Sequence, residues 1–336
     1  MKREISKPNR RSLLLKTGGI LLAISMLLAP SSAVAAAASY PTKPVRLIVP
    51  FDAGGTSDIV GRIFATELTK RLGKQVVVEN RGGAGGTIGT AVVANAPPDG
   101  YTLLLTSSAH PINFLVYKKL PYDYWNAFVT VAKIGTGPNV LAVYAGLPVK
   151  SVKDLIALAK EKPGKLIYST AGVGGFQHLG SELFCMMAGI ELAAVHFKGG
   201  GPAVIDTIGG HSQISFASLI QNLPYIRSGK LKALGTGGAK RTVILPDVPT
   251  IAEAGVPGYE ASNWWGIFVP AGTPPSIVDR LNKECSAILT SAETQKLFLT
   301  QGAEADYLGP AEFGKFIAAE TTKFTPVIKQ LALTPQ

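Results

Sequence analysis

Residues 47–58 read Leu47-Ile48-Val49-Pro50-Phe51-Asp52-Ala53-Gly54-Gly55-Thr56-Ser57-Asp58, and the fold class follows from how this run is read. Val45 to Val49 is a short apolar stretch with the character of a buried strand. From Ser57 to Leu72 the apolar residues Ile59, Ile63, Phe64 and Leu68 recur at helical spacing. Between strand and helix stand two glycines, then Thr56, Ser57 and Asp58. A strand that runs through glycines into a helix leaves free N–H groups at the positive end of the helix dipole. Such a place holds an anion without a cationic side chain. The same device returns at 167–178, Ile167-Tyr168-Ser169-Thr170-Ala171-Gly172-Val173-Gly174-Gly175-Phe176-Gln177-His178. The two together point to a clamp on one anionic guest.

Outside these loops the chain alternates strand and helix. Strands are expected at 45–49, 75–79, 101–106, 139–144, 166–169, 194–197, 213–217 and 233–236. Helices are expected at 57–72, 86–95, 151–161, 174–188 and 201–209. Strands spaced by such helices imply an α/β class with mainly parallel sheets. Two stretches, 141–149 and 231–238, read as crossings between domains. The expected division is 39–144 with 235–336 as one lobe and 145–234 as an inserted second lobe. The chain rejoins the first lobe through Trp264 to Pro270, and three helical stretches follow at 275–290, 293–301 and 310–331.

The N-terminus reads as a cleaved signal peptide over 1–38. Six Lys and Arg residues precede a twelve-residue, largely apolar run at Gly18–Ala29, and small residues near Ala35 to Ala38 offer a cleavage site. Arg10-Arg11 bears a faint twin-arginine character. No lipobox cysteine lies near the cleavage site. Export to the periplasm is therefore expected. The formal charge of +11 falls once the leader is set aside, leaving 27 Lys and Arg against 21 Asp and Glu. These charges are spread out, with no basic run interleaved with aromatics, so nucleic acid is not an expected partner. Cys185 and Cys285 read either as two buried thiols or as a pair that an exported chain could oxidise, with the first reading preferred. His110, His178, His196 and His211 lack metal-ligand spacing, and neither a metal nor a cofactor is expected.

Several strand ends supply candidate ligand contacts, because open parallel sheets bind at the carboxyl ends of their strands. The first loop offers Phe51, Gly54, Gly55, Thr56 and Asp58; Asp58, in the first helical turn, also reads as a capping residue that stabilises the dipole. The third strand runs into Ser107 and Ser108. The second loop offers Ser169, Ala171, Gly172, Gly174, Phe176 and His178; the histidine reads either as a contact or as a residue packed on the sheet. Lys198 reads either as an anion partner or as a solvated lysine, with Asp206 one turn beyond Pro202. Ala217 closes a further strand. Gly172-Val173-Gly174 begins like a dinucleotide fingerprint, but Gln177 stands at the third glycine position. The glycine tract 82–86 lacks the Lys-Ser/Thr of a phosphate cradle and reads as a structural crossover. No Gly-x-Ser-x-Gly elbow and no His-Glu-x-x-His motif is present.

The motifs taken in order resemble one family. Pro50-Phe51-x-Ala53-Gly54-Gly55-x-x-Asp58 is similar to the first signature of the Bug (TctC-like) extracytoplasmic solute receptors, the binding components of tripartite tricarboxylate transporters. Glu79-Asn80-Arg81-x-Gly83-Ala84-Gly85-Gly86 and Pro97-x-Asp99-Gly100-Tyr101 resemble the next two. Ser169-x-x-Gly172-x-Gly174 with His178, and Phe197-Lys198-Gly199 through Pro202, Ala203 and Asp206, resemble those of the second lobe. Pro246 to Thr250 and Pro270 to Pro274 resemble the return segment. The resemblance implies a two-lobed, type 2 Venus-flytrap fold that closes on a small carboxylate held by the two glycine loops, partly through water. It implies a monomeric receptor that docks on a membrane permease or reports to a sensor kinase. His196-Phe197 stands where the family usually has Pro-Tyr, and Phe176 adds an aromatic face. An aromatic or otherwise apolar-bodied carboxylate is expected over citrate. The rival reading is a secreted carboxylate-processing enzyme on the same scaffold.

Overall fold

The computed structural model describes residues 40–197 and 200–331. The expected signal peptide and Lys198 lie outside the described residues.

The first sheet holds β1 (Val45–Val49), β2 (Val76–Asn80), β3 (Thr102–Ser107), β4 (Phe128–Pro138) and β10 (Ser262–Pro270), in the order β2-β1-β3-β10-β4. The second holds β5 (Val140–Tyr144), β6 (Ile167–Thr170), β7 (Ala193–His196), β8 (Ile214–Ser215) and β9 (Leu231–Thr236), in the order β7-β6-β8-β5-β9. The two sheets share one plan. In each, three parallel strands lead to one antiparallel strand, β10 or β5, and then to an edge strand. The expectation of mainly parallel sheets therefore holds with one reversed strand per sheet.

The exchange between sheets falls earlier than the expected division at 144. β4 ends at Pro138 in the first sheet and β5 begins at Val140 in the second, so Asn139 is the crossing residue. The return runs alongside it: the Gly237 N–H donates to the Asn139 carbonyl at 2.7 Å, and the Ala261 N–H donates to the Gly237 carbonyl at 2.8 Å.

Helices cover both faces of each sheet, which is why the strands read as near-continuous apolar runs. α1 (Thr56–Leu72) lays Val60, Phe64 and Leu68 against Leu47 and Val49. On the opposite face Ile48 packs with Trp264, Phe268 and Phe313. Each such fully buried side chain contributes about 1.5–3 kcal/mol. α2 (Thr87–Ala94) and α3 (Ala109–Val116) follow β2 and β3. In the second half α4 (Val152–Glu161), α5 (Phe176–Ala188), α6 (Gly200–Ile208) and α7 (Leu219–Arg227) flank β5 to β9. Leu179, Leu183 and Phe184 of α5 pack on Tyr168 and Phe216.

α8 (Pro275–Leu289), α9 (Ala292–Gln301) and α10 (Pro310–Gln330) complete the chain. The last is a strap across the two halves. Phe313 and Ile317 belong to the core of the first sheet, and Phe324, Val327 and Ile328 to that of the second. Cys185 and Cys285 are both buried and unpaired. Among the described residues no helix is long and apolar enough to cross a membrane.

Three elements escaped the sequence reading. α3 carries Pro111 and α7 carries Pro224, and each proline reads as a break. β4 ends in Gly135, Thr136, Gly137 and Pro138, which interrupts its apolar pattern. Those glycines serve packing: a Cβ at Gly137 would lie 2.6 Å from the Trp265 ring, and one at Gly135 2.8 Å from Phe298.

Candidate functional site

A cavity of about 920 Å³ opens between the two sheets, at the carboxyl ends of β1, β3 and β6. Phe51 to Ser57 line it from the first sheet and Ala171 to Gln177 from the second. Asn139 and Asn263 contribute from the crossing segments.

The two facing loops share one step, a pair of glycines that leads into a helix. Gly54 and Gly174 take left-handed φ values of 79° and 71°, open to glycine at little cost. Gly55 and Gly175 follow in extended conformation as the N-cap residues of α1 and α5. Neither has a side chain, so neither helix receives a side-chain cap. The N–H groups of Thr56 and Ser57, and those of Phe176 and Gln177, have no acceptor among the described residues. Two helix N-termini thus present free donors and positive dipole ends to one space. Among the described lining residues there is no lysine, arginine or histidine, and Asp52 is the single acid. The donors this described wall offers are amides and hydroxyls. Phe51, Ile112, Val116, Phe176 and Val204 supply apolar wall.

Of the residues singled out from the sequence, Phe51, Gly54, Gly55, Thr56, Ser107, Ala171, Gly172, Gly174 and Phe176 line this cavity. Of the rest, Lys198 lies outside the described residues, and the others do not line the cavity, each for a local reason. The Asp58 carboxylate, buried in the first turn of α1, accepts from the Gly54 N–H at 2.8 Å and from Arg62 Nε at 3.0 Å. Burial raises its pKa, but the hydrogen bonds from Arg62, Gly54 and Asn80, with the Arg62 charge, outweigh burial and hold it below the usual carboxylate range. His178 Nδ1 accepts from the Gly174 N–H at 3.0 Å. Ser169 Oγ pairs with Thr207 Oγ1 at 2.7 Å beneath α6. Ser108 Oγ donates to Asn263 Oδ1 at 2.6 Å. Ala217 packs with Ala142, Val204 and Leu231. Asp206 lies beyond the first turn of α6, where its carbonyl accepts from the His211 N–H.

Sequence reasoning missed a set of amides. Gln177 Oε1 accepts from the Ala171 N–H at 3.0 Å, and its Nε2 donates to Gln221 Oε1 at 2.7 Å, tying the second loop to α7. Asn113 Nδ2 donates to the Gly85 carbonyl at 2.8 Å, which holds the glycine tract against α3. Asn139 and Ser218, paired across an antiparallel bridge, contribute to the wall with side-chain polar atoms that are closed to solvent and without a partner among the described residues. None of these has a local sequence signature; α7, which carries Gln221, was itself unread.

Two like-built α/β sheets, joined by neighbouring crossing strands and sharing one cleft, define the class of two-lobed solute-binding proteins. Residues 60–333 match the model of the tripartite tricarboxylate transporter family receptor, TctC. Protein BugT of Bordetella pertussis is 37% identical over 319 residues, covering 94% of this chain and 97% of that one. A solved R. palustris protein, Rpa4515 with adipate, has a TM-score of 0.81 at 37% identity, covering 86% of this chain and 97% of that one. MatC from Rhodopseudomonas palustris with bound malate has a TM-score of 0.77 at 30% identity, covering 86% and 100%. This chain belongs to the TctC family of solute-binding receptors.

Proposed function

We propose that this chain is a periplasmic receptor that captures a small carboxylate between its two sheets and hands it to the membrane permease of a tripartite tricarboxylate transporter. In this reading the sheets are two lobes that exchange chain at Asn139 and over 237–261. The observation that carries it is the pair of uncapped helix N-termini, α1 and α5, turned on one cavity whose described wall holds no cationic side chain. A carboxylate there completes both first turns. Each hydrogen bond it accepts is charge-assisted, and each strengthens as closure excludes water. Binding shifts the open–closed balance by the ligand's preference for the closed state.

The apolar wall favours a carboxylate with an apolar body. A cavity of about 920 Å³ sits toward the upper end of the ~300–1,000 Å³ common for ligand sites, which leaves room for water beside a small acid. The adipate and malate bound by two relatives are the first compounds to test. A thermal-shift screen of mono-, di- and aromatic carboxylates, each beside its neutral amide, is the test. At a hundred times Kd a true ligand stabilises by about 2.7 kcal/mol. Shifts by the acids alone support the proposal; equal shifts by acid and amide refute it.

A further inference from the structure

We propose that Asp58 and His178 are matched positioning residues, each fixing the N–H of the left-handed glycine four residues before it, and that the neutral histidine makes carboxylate capture sensitive to acid. The inference rests on the carboxylate-receptor reading above.

The geometry is repeated in the two halves. Asp58 and His178 both occupy the third position of their helices, after N-caps Gly55 and Gly175. From that position a side chain reaches back over the helix start, as in a capping box. Here it takes the N–H one residue ahead of the N-cap: Gly54 at 2.8 Å and Gly174 at 3.0 Å. The N-cap glycine supplies no reciprocal acceptor. Half of the box is internal and the other half stays open to a guest. The brace removes two loop N–H groups from the donors a ligand can use, and orients those of Thr56, Ser57, Phe176 and Gln177.

The two acceptors differ in charge. Asp58 is an anion beside the carboxylate site, and Arg62 offsets it at 3.0 Å. His178 serves as an acceptor only through an unprotonated Nδ1, so its proton sits on Nε2. That edge faces Glu182 at 4.0 Å, whose carboxylate also accepts the Tyr168 hydroxyl. The His196 ring of β7 meets the His178 ring edge-on at 4.9 Å, and Tyr168 of β6 stacks over it at 6.4 Å. Cys185, buried in the same helix, lies within electrostatic reach of Tyr168. A second proton on His178 sets an N–H against the Gly174 N–H, and the loop must move. Burial first, and then the neighbouring His196, push His178 down to about 4, so the brace is intact at neutral pH.

The test uses three proteins: wild type, His178→Asn and His178→Ala. Asparagine places Oδ1 where histidine has Nδ1 and does not titrate. Ligand-free NMR comes first. The expected result is the Nε2–H tautomer of His178 at pH 7, with Gly174 N–H exchange slow in wild type and in H178N but fast in H178A. An Nδ1–H tautomer, or equal exchange in all three, overturns the brace. Calorimetry with adipate follows. The expected result is similar affinity for wild type and H178N, and a loss of about tenfold in H178A, the worth of one hydrogen bond. Between pH 6 and 4 wild type should weaken relative to H178N. A constant ratio overturns the acid sensitivity. Failure of adipate to bind any of the three refutes that ligand and leaves the NMR result standing.

Discussion

The free amides at the start of α1 can be removed one at a time without rebuilding the helix. Thr56 is its first residue, and proline is well suited to that position, where the N–H makes no intrahelical bond. The preceding Gly55, at φ −75° and ψ 169°, already has the extended backbone that a following proline requires. Thr56→Pro therefore deletes one donor and one hydroxyl while leaving the fold in place. Thr56→Ala deletes the hydroxyl alone. The difference between the two isolates the N–H. A hydrogen bond to a charged group contributes about 1.5–3 kcal/mol, which corresponds to roughly 10- to 150-fold in Kd at about 1.4 kcal/mol per tenfold. Calorimetry with adipate or malate, alongside thermal melts of the ligand-free proteins, reads both quantities. The expected outcome is T56P weaker than T56A by at least tenfold with melting points within a degree or two. Equal affinities for T56P and T56A would show that the Thr56 amide does not hold the ligand.

Further outcomes follow from named contacts. Burial pushes His110 down to about 3, in an aromatic nest of Tyr122, Tyr124, Phe128 and Phe268. The unfolded chain takes up this proton below about 6.5 and the native chain only near 3. Stability is therefore full above pH 6.5 and falls on acidification by up to about 1.4 kcal/mol per unit. In urea melts at pH 7 and 4.5, His110→Phe should lose less stability than wild type between the two; an equal loss refutes the assignment. A Cβ at Gly266 would stand 2.1 Å from Phe313 Cζ, so Gly266→Ala should cost about 1–3 kcal/mol in urea unfolding, and an unchanged midpoint contradicts that packing. Gln177→Leu cuts the loop from α7 and should weaken carboxylate binding about five- to tenfold with little change in melting point; undiminished binding removes Gln177 from the site.

The parts of the fold that were legible in the sequence are those where local chemistry and tertiary role agree. Val45–Val49 and Ile167–Thr170 are buried strands that run into glycines, and both glycine runs lead to helix starts at the cavity. Pro111 stands in the first turn of α3, where its missing N–H leaves no helical bond unmade, and Pro224 lies inside α7; both read as breaks and concealed their helices. β4 was hidden because Gly135 and Gly137 answer to Trp265 and Phe298, which are distant in sequence. Asp58 was read as a ligand contact with a share in capping, and His178 as either a contact or a residue packed on the sheet, since both stand beside the glycines. The helical repeat turns each back toward its own loop, and no linear pattern shows which way a side chain at that position faces. Asn139 and Gln221 belong to the cavity through topology alone, because one is the crossing residue between sheets and the other sits on a helix the sequence concealed.

The central claim is that main-chain N–H groups from two opposed helix starts grip one anion. A crystal structure of the protein with the carboxylate that gives the largest thermal shift measures this directly. The account predicts carboxylate oxygens, or one ordered water bridging to them, at about 2.7–3.1 Å from the nitrogens of Thr56 or Ser57 and of Phe176 or Gln177. A carboxylate seated elsewhere and paired with a lysine or arginine side chain, with both helix starts facing bulk water, would contradict it.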